Sequence, residues 1–351
     1  MGEILGLGLT HYPPLIGRDE HMADILRLVL ADPGLPERLR DPAGWPAPMR
    51  QEYGGDGGAT AAAAPRDVLV RHLRHLRREL DAFRPDLVLV WGDDQHENFV
   101  DDIIPPFCVL AYDAIEMRHG QRHAGAANVW REGPDTVFRV RGHREAGKYL
   151  ARRLLEQGVD MAYAYRPLHH PGLAHAFFNT ILFLDYDRAG FPYPVLPFQV
   201  NCYGRRVIAQ RGFRSELAHP PAEADLDPPS PTPRRCLEVG AATARAMRES
   251  PWRVALVASS SWSHAFLTDK HHQLYPDTVA DRRLYEALRT GDYETWRRTP
   301  LGDIEASGQQ EMLNWCLLAG AMEELGRKPD SCELIETWIF NSNKCFAVFR
   351  P

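Results

Sequence analysis

No two of the six cysteines form a C-x-x-C pair, which removes zinc knuckles and dithiol redox motifs from consideration. Cys108, Cys202, Cys236, Cys316, Cys332 and Cys345 are scattered and read as free thiols of a reducing cytoplasm. No apolar run approaches the roughly 18 residues that cross a bilayer. The opening MGEILGLGLTHYPP lacks the basic and long apolar regions of a secretory signal, and Gly6 stands where a myristoylation signal wants Ser or Thr. A cytoplasmic protein with no membrane partner is therefore expected. Basic charge is not in excess either. The 41 Lys and Arg are outnumbered by 47 Asp and Glu, and they gather in no dominant patch. No nucleic-acid partner that acts through phosphate neutralisation is expected. There is no internal repeat.

What is there is a chain of 351 residues with ordinary hydrophobic and charged fractions, long enough to bury a substantial core. Short apolar runs alternate with helical patterns, which predicts an α/β fold with a central mixed sheet flanked by helices. Strands are expected at Ile4–Leu9, Leu87–Trp91, Phe107–Ala111, Met161–Ala164, Val195–Val200, Val254–Ala258 and Phe346–Phe349. The clearest helix runs over Asp67–Phe83, where Val68, Leu69, Leu73, Leu76, Leu80 and Phe83 recur at helical spacing and Pro85 supplies a stop. Its His72 and His75 are expected in solvent. Further helices are predicted at His143–Gln157, Cys236–Glu249, Asp281–Leu288 and Gln309–Leu325, the last opened by a Ser307/Gln310 capping box. Ala31–Pro65 and Gly212–Pro233 are rich in Pro and Gly and read as long loops, lids or contact surfaces within one domain spanning 1–351.

Of the 15 histidines, three stand just beyond the carboxyl ends of expected strands. His11 follows EILGLGL, His96 follows DLVLVWG in the loop GDDQHENF, and His264 follows RVALVAS within SSSWSH. Open α/β sheets build their sites at that edge. Two imidazoles and one carboxylate on one face of an octahedron would hold iron(II) and leave the other face open to substrate and dioxygen. His11 and His96 are candidates for the imidazoles. For the carboxylate, Asp93, Asp94, Glu97, Asp101 and Glu311 are all available, and spacing does not choose among them. Asp93 and Asp94 would serve equally well as helix caps or as orienters of a ligand.

Several fragments, in order along the chain, resemble the LigB-type class III extradiol ring-cleavage dioxygenases, the family of the protocatechuate 4,5-dioxygenase catalytic chain. GLGLTHYPPL is similar to the family's strand-plus-His opening, and LVLVWGDDQHENFVDDIIPPFCV resembles its second-ligand loop. PYPVLPFQVNCY resembles a core strand, ALVASSSWSH the strand and loop of an acid–base histidine, and DRRLYEALRTGDYETW the stretch before the glutamate helix. SGQQEMLNWCLLAGAM resembles the Glu-x-x-x-Trp helix itself. The resemblance implies Fe(II) held by His11, His96 and Glu311, with His264 as the acid–base residue. Counting back from Asn201 places His175 at a substrate-contacting position, with His170 the second choice; a core histidine in LAHAFFNTILFL is the plain alternative for His175. The chain departs from the family in carrying Ser260-Ser261-Trp262 where Gly-Gly is common, Ala174 where Asp is common, and the Ala31–Pro65 insertion. These bear on the substrate pocket more than on the metal.

The implied reaction is extradiol cleavage of a catechol-type ring by O2, with protocatechuate, gallate, methylgallate or a larger catechol as substrate, giving an open-chain unsaturated acid. Relatives associate, so a homo-oligomer and, in some members, a small helical partner subunit are implied. A zinc hydrolase on the same ligands, and a non-catalytic binding protein on the same scaffold, are the competing classes. Tyr12 and Asn98 flank the proposed ligands, and Lys344 is expected as a solvated lysine rather than a substrate-carboxylate contact.

Overall fold

The structure, a computed structural model, describes residues 2–118, 128–169, 172–212 and 217–351. Its strands are β1 (Ile4–Leu9), β2 (Leu87–Asp93), β3 (Phe107–Leu110), β4 (Ala114–Arg118), β5 (Val137–Arg141), β6 (Ala162–Ala164), β7 (Val195–Val200), β8 (Val254–Ser259), β9 (Ser331–Ile335) and β10 (Lys344–Phe349). Eight of them form one sheet in the order β6-β3-β7-β2-β8-β1-β10-β9, while β4 and β5 pair as a separate hairpin. The centre is parallel: β7, β2, β8 and β1 run the same way, with Leu9 opposite Ser259 and Asp93 opposite Val200. Strands β3 and β10 run antiparallel to this block on its two sides. The result is a mixed sheet flanked by helices, as the alternation of patterns predicts.

The central strands are buried along their whole length, because helices cover both faces. Period-two alternation divides each strand between two cores. Leu87, Leu89 and Trp91 face the layer of helices Pro233–Arg248 and Met312–Glu324. Val88 and Val90 face the layer of helices Ala63–Phe83 and His175–Leu184. In β1, Leu5, Leu7 and Leu9 join the second core, and the opposite face carries Gly6 and Gly8. Those two glycines make room for a helix: a Cβ on Gly8 would lie 2.1 Å from the Trp315 ring, and one on Gly6 would lie 2.8 Å from Met322 Sδ. The GLGL alternation therefore lets the helix that follows Glu311 settle directly on β1.

Some expectations are corrected. The long helix begins at Ala63, inside the segment read as a loop, and ends at Arg84 with φ 52° ahead of Pro85. That segment also contains the short helix Ala47–Tyr53. The 307/310 capping box does not form. Gly308, at φ 66°, turns the chain after Ser307, and the last long helix begins at Met312 with Glu311 at its N-cap position and no side-chain cap. His72 is not in solvent: the helix packs over β10, so its ring stacks on Phe346 at 4.9 Å and its Nε2 lies 3.3 Å from Glu333. Among the described residues no helix is long and apolar enough to cross a membrane.

Replacing Gly8 by Ala forces a methyl against a buried indole, so Gly8→Ala is expected to lower the unfolding free energy by about 1–3 kcal/mol. Urea denaturation of the two proteins checks this; an unchanged midpoint would show that the Trp315 helix can retreat from β1 without cost.

Candidate metal and proton-transfer site

The four parallel strands end along one edge of the sheet, and the chain leaves each carrying polar residues. His11 follows β1, Asp93 closes β2, Tyr203 follows β7, and Ser259 closes β8 ahead of the Ser260–His264 loop. Glu311 joins them from the turn that opens the Met312–Glu324 helix. His11, Asp93, Glu311 and His264 are all 5% exposed or less, so these polar groups meet out of contact with bulk water.

His11 Nδ1 lies 3.0 Å from the Ser259 carbonyl oxygen. A carbonyl only accepts, so Nδ1 carries a proton, and in the neutral ring Nε2 presents its lone pair. That Nε2 lies 3.4 Å from Glu311 Oε2 and 3.9 Å from Asp93 Oδ1. Glu311 Oε2 is buried and makes no hydrogen bond, while its other oxygen accepts from the Tyr203 hydroxyl. Burial, and then the charge of Asp93, push the Glu311 carboxyl well above the usual carboxylate range; the Tyr203 hydrogen bond opposes them. A lone pair and two carboxylates turned toward one another without water are stabilised by a proton or a cation among them. The donor set therefore fits a divalent metal. The Nδ1–H to carbonyl bond also matches the way ligating histidines are held from behind. His11, Asp93 and His175 form a cluster in which one ligand atom from each lies within 4.8 Å of the others.

The His264 loop is held by its own polar residues. The Ser263 N–H donates to Asp281, which also accepts from the Gln309 and Asn343 side-chain amides at 2.6 and 2.8 Å. Ser260 Oγ donates to the Glu311 carbonyl, and Thr10 Oγ1 and Ser261 Oγ are 2.6 Å apart. The Ser-Ser-Trp run thus forms a hydrogen-bonded floor beneath the site. Trp262 packs edge-on against Trp296 and Trp315. His264 Nε2 lies 3.3 Å from Glu311 Oε1, and its buried Nδ1 has no hydrogen-bond partner. Burial, with smaller contributions from His11 and Lys344, holds its pKa down at about 3, so the ring is neutral at working pH.

His175 is the first residue of its helix and is not a plain core histidine. Its Nδ1 lies 2.6 Å from Glu97 Oε1, and its backbone N–H donates to Glu97 Oε2 at 2.9 Å. Asn98 latches the same corner, accepting from the Ala174 N–H and donating to the Gly172 carbonyl. Asp94 accepts from the N–H groups of Glu97, Asn98 and Phe99, which shapes the loop; burial raises its pKa to about 6. The His175 ring meets His11 edge-on at 4.9 Å. His96 lies on this loop at φ 56°, with Nε2 3.0 Å from the exposed Asp101, and is not a member of the His11, Asp93, His175 cluster. His170 lies outside the described residues.

Lys344 is not solvated. It is fully buried, and its ammonium donates to Thr337 Oγ1, Phe340 O and Ser342 O and lies 4.0 Å from the centre of the Tyr12 ring. Sequence reasoning passed over Tyr203, Asp281 and Ser259. Tyr203 had a usable signal, since it is the last residue of the strand fragment PYPVLPFQVNCY. The partners of Asp281 and Ser259 arise only from tertiary contact.

Two comparisons bear on this site. Residues 226–343 match the family described as the catalytic LigB subunit of aromatic ring-opening dioxygenase, so this part of the chain is LigB-type and it includes His264 and Glu311. More particularly, the chain is similar to enzymes named 2,3-dihydroxyphenylpropionate/2,3-dihydroxicinnamic acid 1,2-dioxygenase. The one from Pseudomonas putida is 27% identical over 199 residues, covering 56% of this chain and 49% of that protein. The one from Paraburkholderia phymatum is 29% identical over 192 residues, covering 54% and 47%. The chain thus spans about half the length of the curated relatives it matches.

Tyr203 hydrogen-bonds one oxygen of the carboxylate that faces His11. Tyr203→Phe is expected to weaken divalent-metal affinity by about 10- to 100-fold with little change in fold. Anaerobic titration monitored by intrinsic fluorescence measures this, and an unchanged affinity would show that the phenol plays no part in ordering Glu311.

Proposed function

We propose that this protein is an Fe(II)-dependent extradiol dioxygenase that opens the ring of a catechol-type aromatic, working as one catalytic domain in the cytoplasm. The observation that carries the reading is the dry convergence of His11 Nε2 and Glu311 Oε2 at 3.4 Å, with His264 and His175 beside them. The ions that suit two imidazoles and a carboxylate include iron(II). His11 and Glu311 already face one another. We assign the third ligand to His96, whose present partner Asp101 is an exposed carboxylate that competes weakly. Asp93 and His175 are the alternative donors that the geometry offers.

Bound there, iron(II) would supply Lewis-acid activation of the two diol oxygens and electron transfer toward O2. The chain's own groups handle protons and orientation. With Nε2 facing Glu311, His264 has Nδ1 left to take a hydroxyl proton from the diol and return it later. His175 donates its Nδ1–H to Glu97 Oε1, so in the neutral ring Nε2 is the acceptor that would orient a second diol hydroxyl. The buried surroundings exclude water from the reacting groups. The names of the relatives add 2,3-dihydroxyphenylpropionate to the candidates that begin with protocatechuate, gallate and methylgallates.

The test is oxygen consumption by anaerobically iron-loaded protein across a catechol panel, with zinc-loaded protein in parallel. Uptake with iron and none with zinc is expected, whereas substrate turnover with zinc and no oxygen consumed would favour a hydrolase. His11→Ala and Glu311→Ala should lose the metal, and His264→Gln should keep it while slowing turnover by about 10²- to 10⁴-fold. Metal content of His96→Ala, His175→Ala and Asp93→Asn separates the three assignments of the third ligand.

A further inference from the structure

Lys344 is a fully buried ammonium to which the proposed chemistry gives no part. All three of its donors go to one short stretch: Thr337 Oγ1 at 2.9 Å, Phe340 O at 2.8 Å and Ser342 O. The same stretch is gripped from the other side by Glu52, on the Ala47–Tyr53 helix, whose Oε2 accepts from the N–H groups of Trp338 and Ile339 at 2.7 Å each. Two side chains far apart in sequence thus close the turn from Thr337 to Lys344 from both ends.

That turn in turn holds His264. Asn341, at φ 60°, offers its carbonyl to the Ala265 N–H at 2.5 Å and its side-chain oxygen to the Phe266 N–H at 3.4 Å. Ser342 pairs with His264 in an antiparallel bridge. The Asn343 carbonyl accepts from the Trp262 N–H at 2.9 Å, and its own N–H donates to Ser263 O. The backbone on both sides of His264 is therefore fastened to residues 341–343, alongside the Gly308 carbonyl that accepts from the His264 N–H at 2.8 Å and the Thr268 hydroxyl that donates to the His264 carbonyl at 2.7 Å. The Phe340 and Ser342 carbonyls on which Lys344 acts flank Asn341, the residue in the strained left-handed conformation that makes the turn possible.

We propose that Lys344 and Glu52 are positioning residues that clamp the Thr337–Lys344 turn and thereby aim the His264 imidazole at the substrate. This gives the Ala31–Pro65 insertion a purpose, since it delivers Glu52 to the turn. The inference rests on the reading of His264 as the proton acceptor. The hydrogen bonds of both side chains described above go to the turn itself. Misplacement of a reacting group by about 1 Å costs on the order of 100-fold in rate, so the clamp acts on kcat rather than on binding.

The experiment is a double-mutant cycle on the iron-loaded full chain. Lys344→Met should lower kcat by about 10- to 100-fold, with KM and iron content unchanged, and should cost nothing further in the His264→Gln background. Glu52→Ala should act in the same way, while Glu52→Gln, which keeps an acceptor oxygen for both N–H groups, should restore the wild-type rate. Equal slowing of His264→Gln by Lys344→Met would overturn the proposal, as would equal activity of Glu52→Ala and Glu52→Gln. Should Lys344→Met fail to fold, the Glu52 pair decides alone. A second readout needs no turnover: in ¹⁵N-histidine spectra, with His264 assigned from its loss in His264→Gln, Lys344→Met should shift the His264 ring signals and leave those of exposed His21 in place. An unmoved His264 signal would overturn the clamp. If the wild type consumes no oxygen with any catechol, the functional reading fails, and the spectra still decide on the clamp.

Discussion

The rest of the structure is arranged around one electrostatic problem: a neutral imidazole lone pair and two carboxylates brought together where water does not reach. His11, Asp93 and Glu311 come from three different parts of the chain: β1 and β2 flank β8 and end at the same edge, which brings His11 and Asp93 together, and the turn that opens the Met312–Glu324 helix brings in Glu311. Burial raises the cost of each negative charge. The chain offsets part of that cost with the Tyr203 hydroxyl on Glu311 and the Asn314 amide 3.4 Å from Asp93. The buried amine of Lys344 is engaged elsewhere, with two carbonyls and a hydroxyl. Such a concentration of acceptors is costly as pure scaffolding, and becomes favourable once a divalent ion enters.

Packing and chemistry share parts in this design. Gly8 leaves space for Trp315, and Trp315 donates its indole N–H to the Ser260 carbonyl at 3.2 Å, so the helix behind Glu311 and the loop ahead of His264 are joined through one ring. Ser259 likewise accepts from His11 through its carbonyl, while its hydroxyl lies between the His11 ring and Thr180. The neighbouring strand therefore orients the His11 ring from behind. Of the two residues inside the matched stretch 226–343, Glu311 accepts from Tyr203 outside it, whereas the backbone of His264 is held by Gly308 and residues 341–343 within it.

Much of this was legible before any coordinates. Strand-end histidines are visible because buried parallel strands read as continuous apolar runs, and β1, β2 and β8 lie within two residues of their expected bounds. The hairpin β4–β5 was missed because its exposed positions include Glu116, Arg118, Arg139 and Arg141, and only Ile115, Met117, Phe138 and Val140 among its residues pack against the core. The partner of a polar side chain was the least legible quantity. LAHAFFNTILFL looks like a core helix throughout, and nothing in it announces that Glu97, 78 residues earlier, meets His175. Lys344 read as a surface lysine because composition gives no warning that three oxygens of its own turn will surround it. His96 shows the converse: its position after β2 was clear, whereas its rotation toward Asp101 was not.

Glu97 divides its two oxygens between the ring of His175 and the first amide of the helix that His175 begins. One carboxylate thus serves as both hinge pin and doorstop. The imidazole cannot swing toward or away from a guest without loosening the start of a helix whose other residues are buried in the second core. Any molecule that draws on that ring is therefore felt along the whole of His175–Leu184, and disorder at the head of that helix would be felt in return as a blunted grip on the guest.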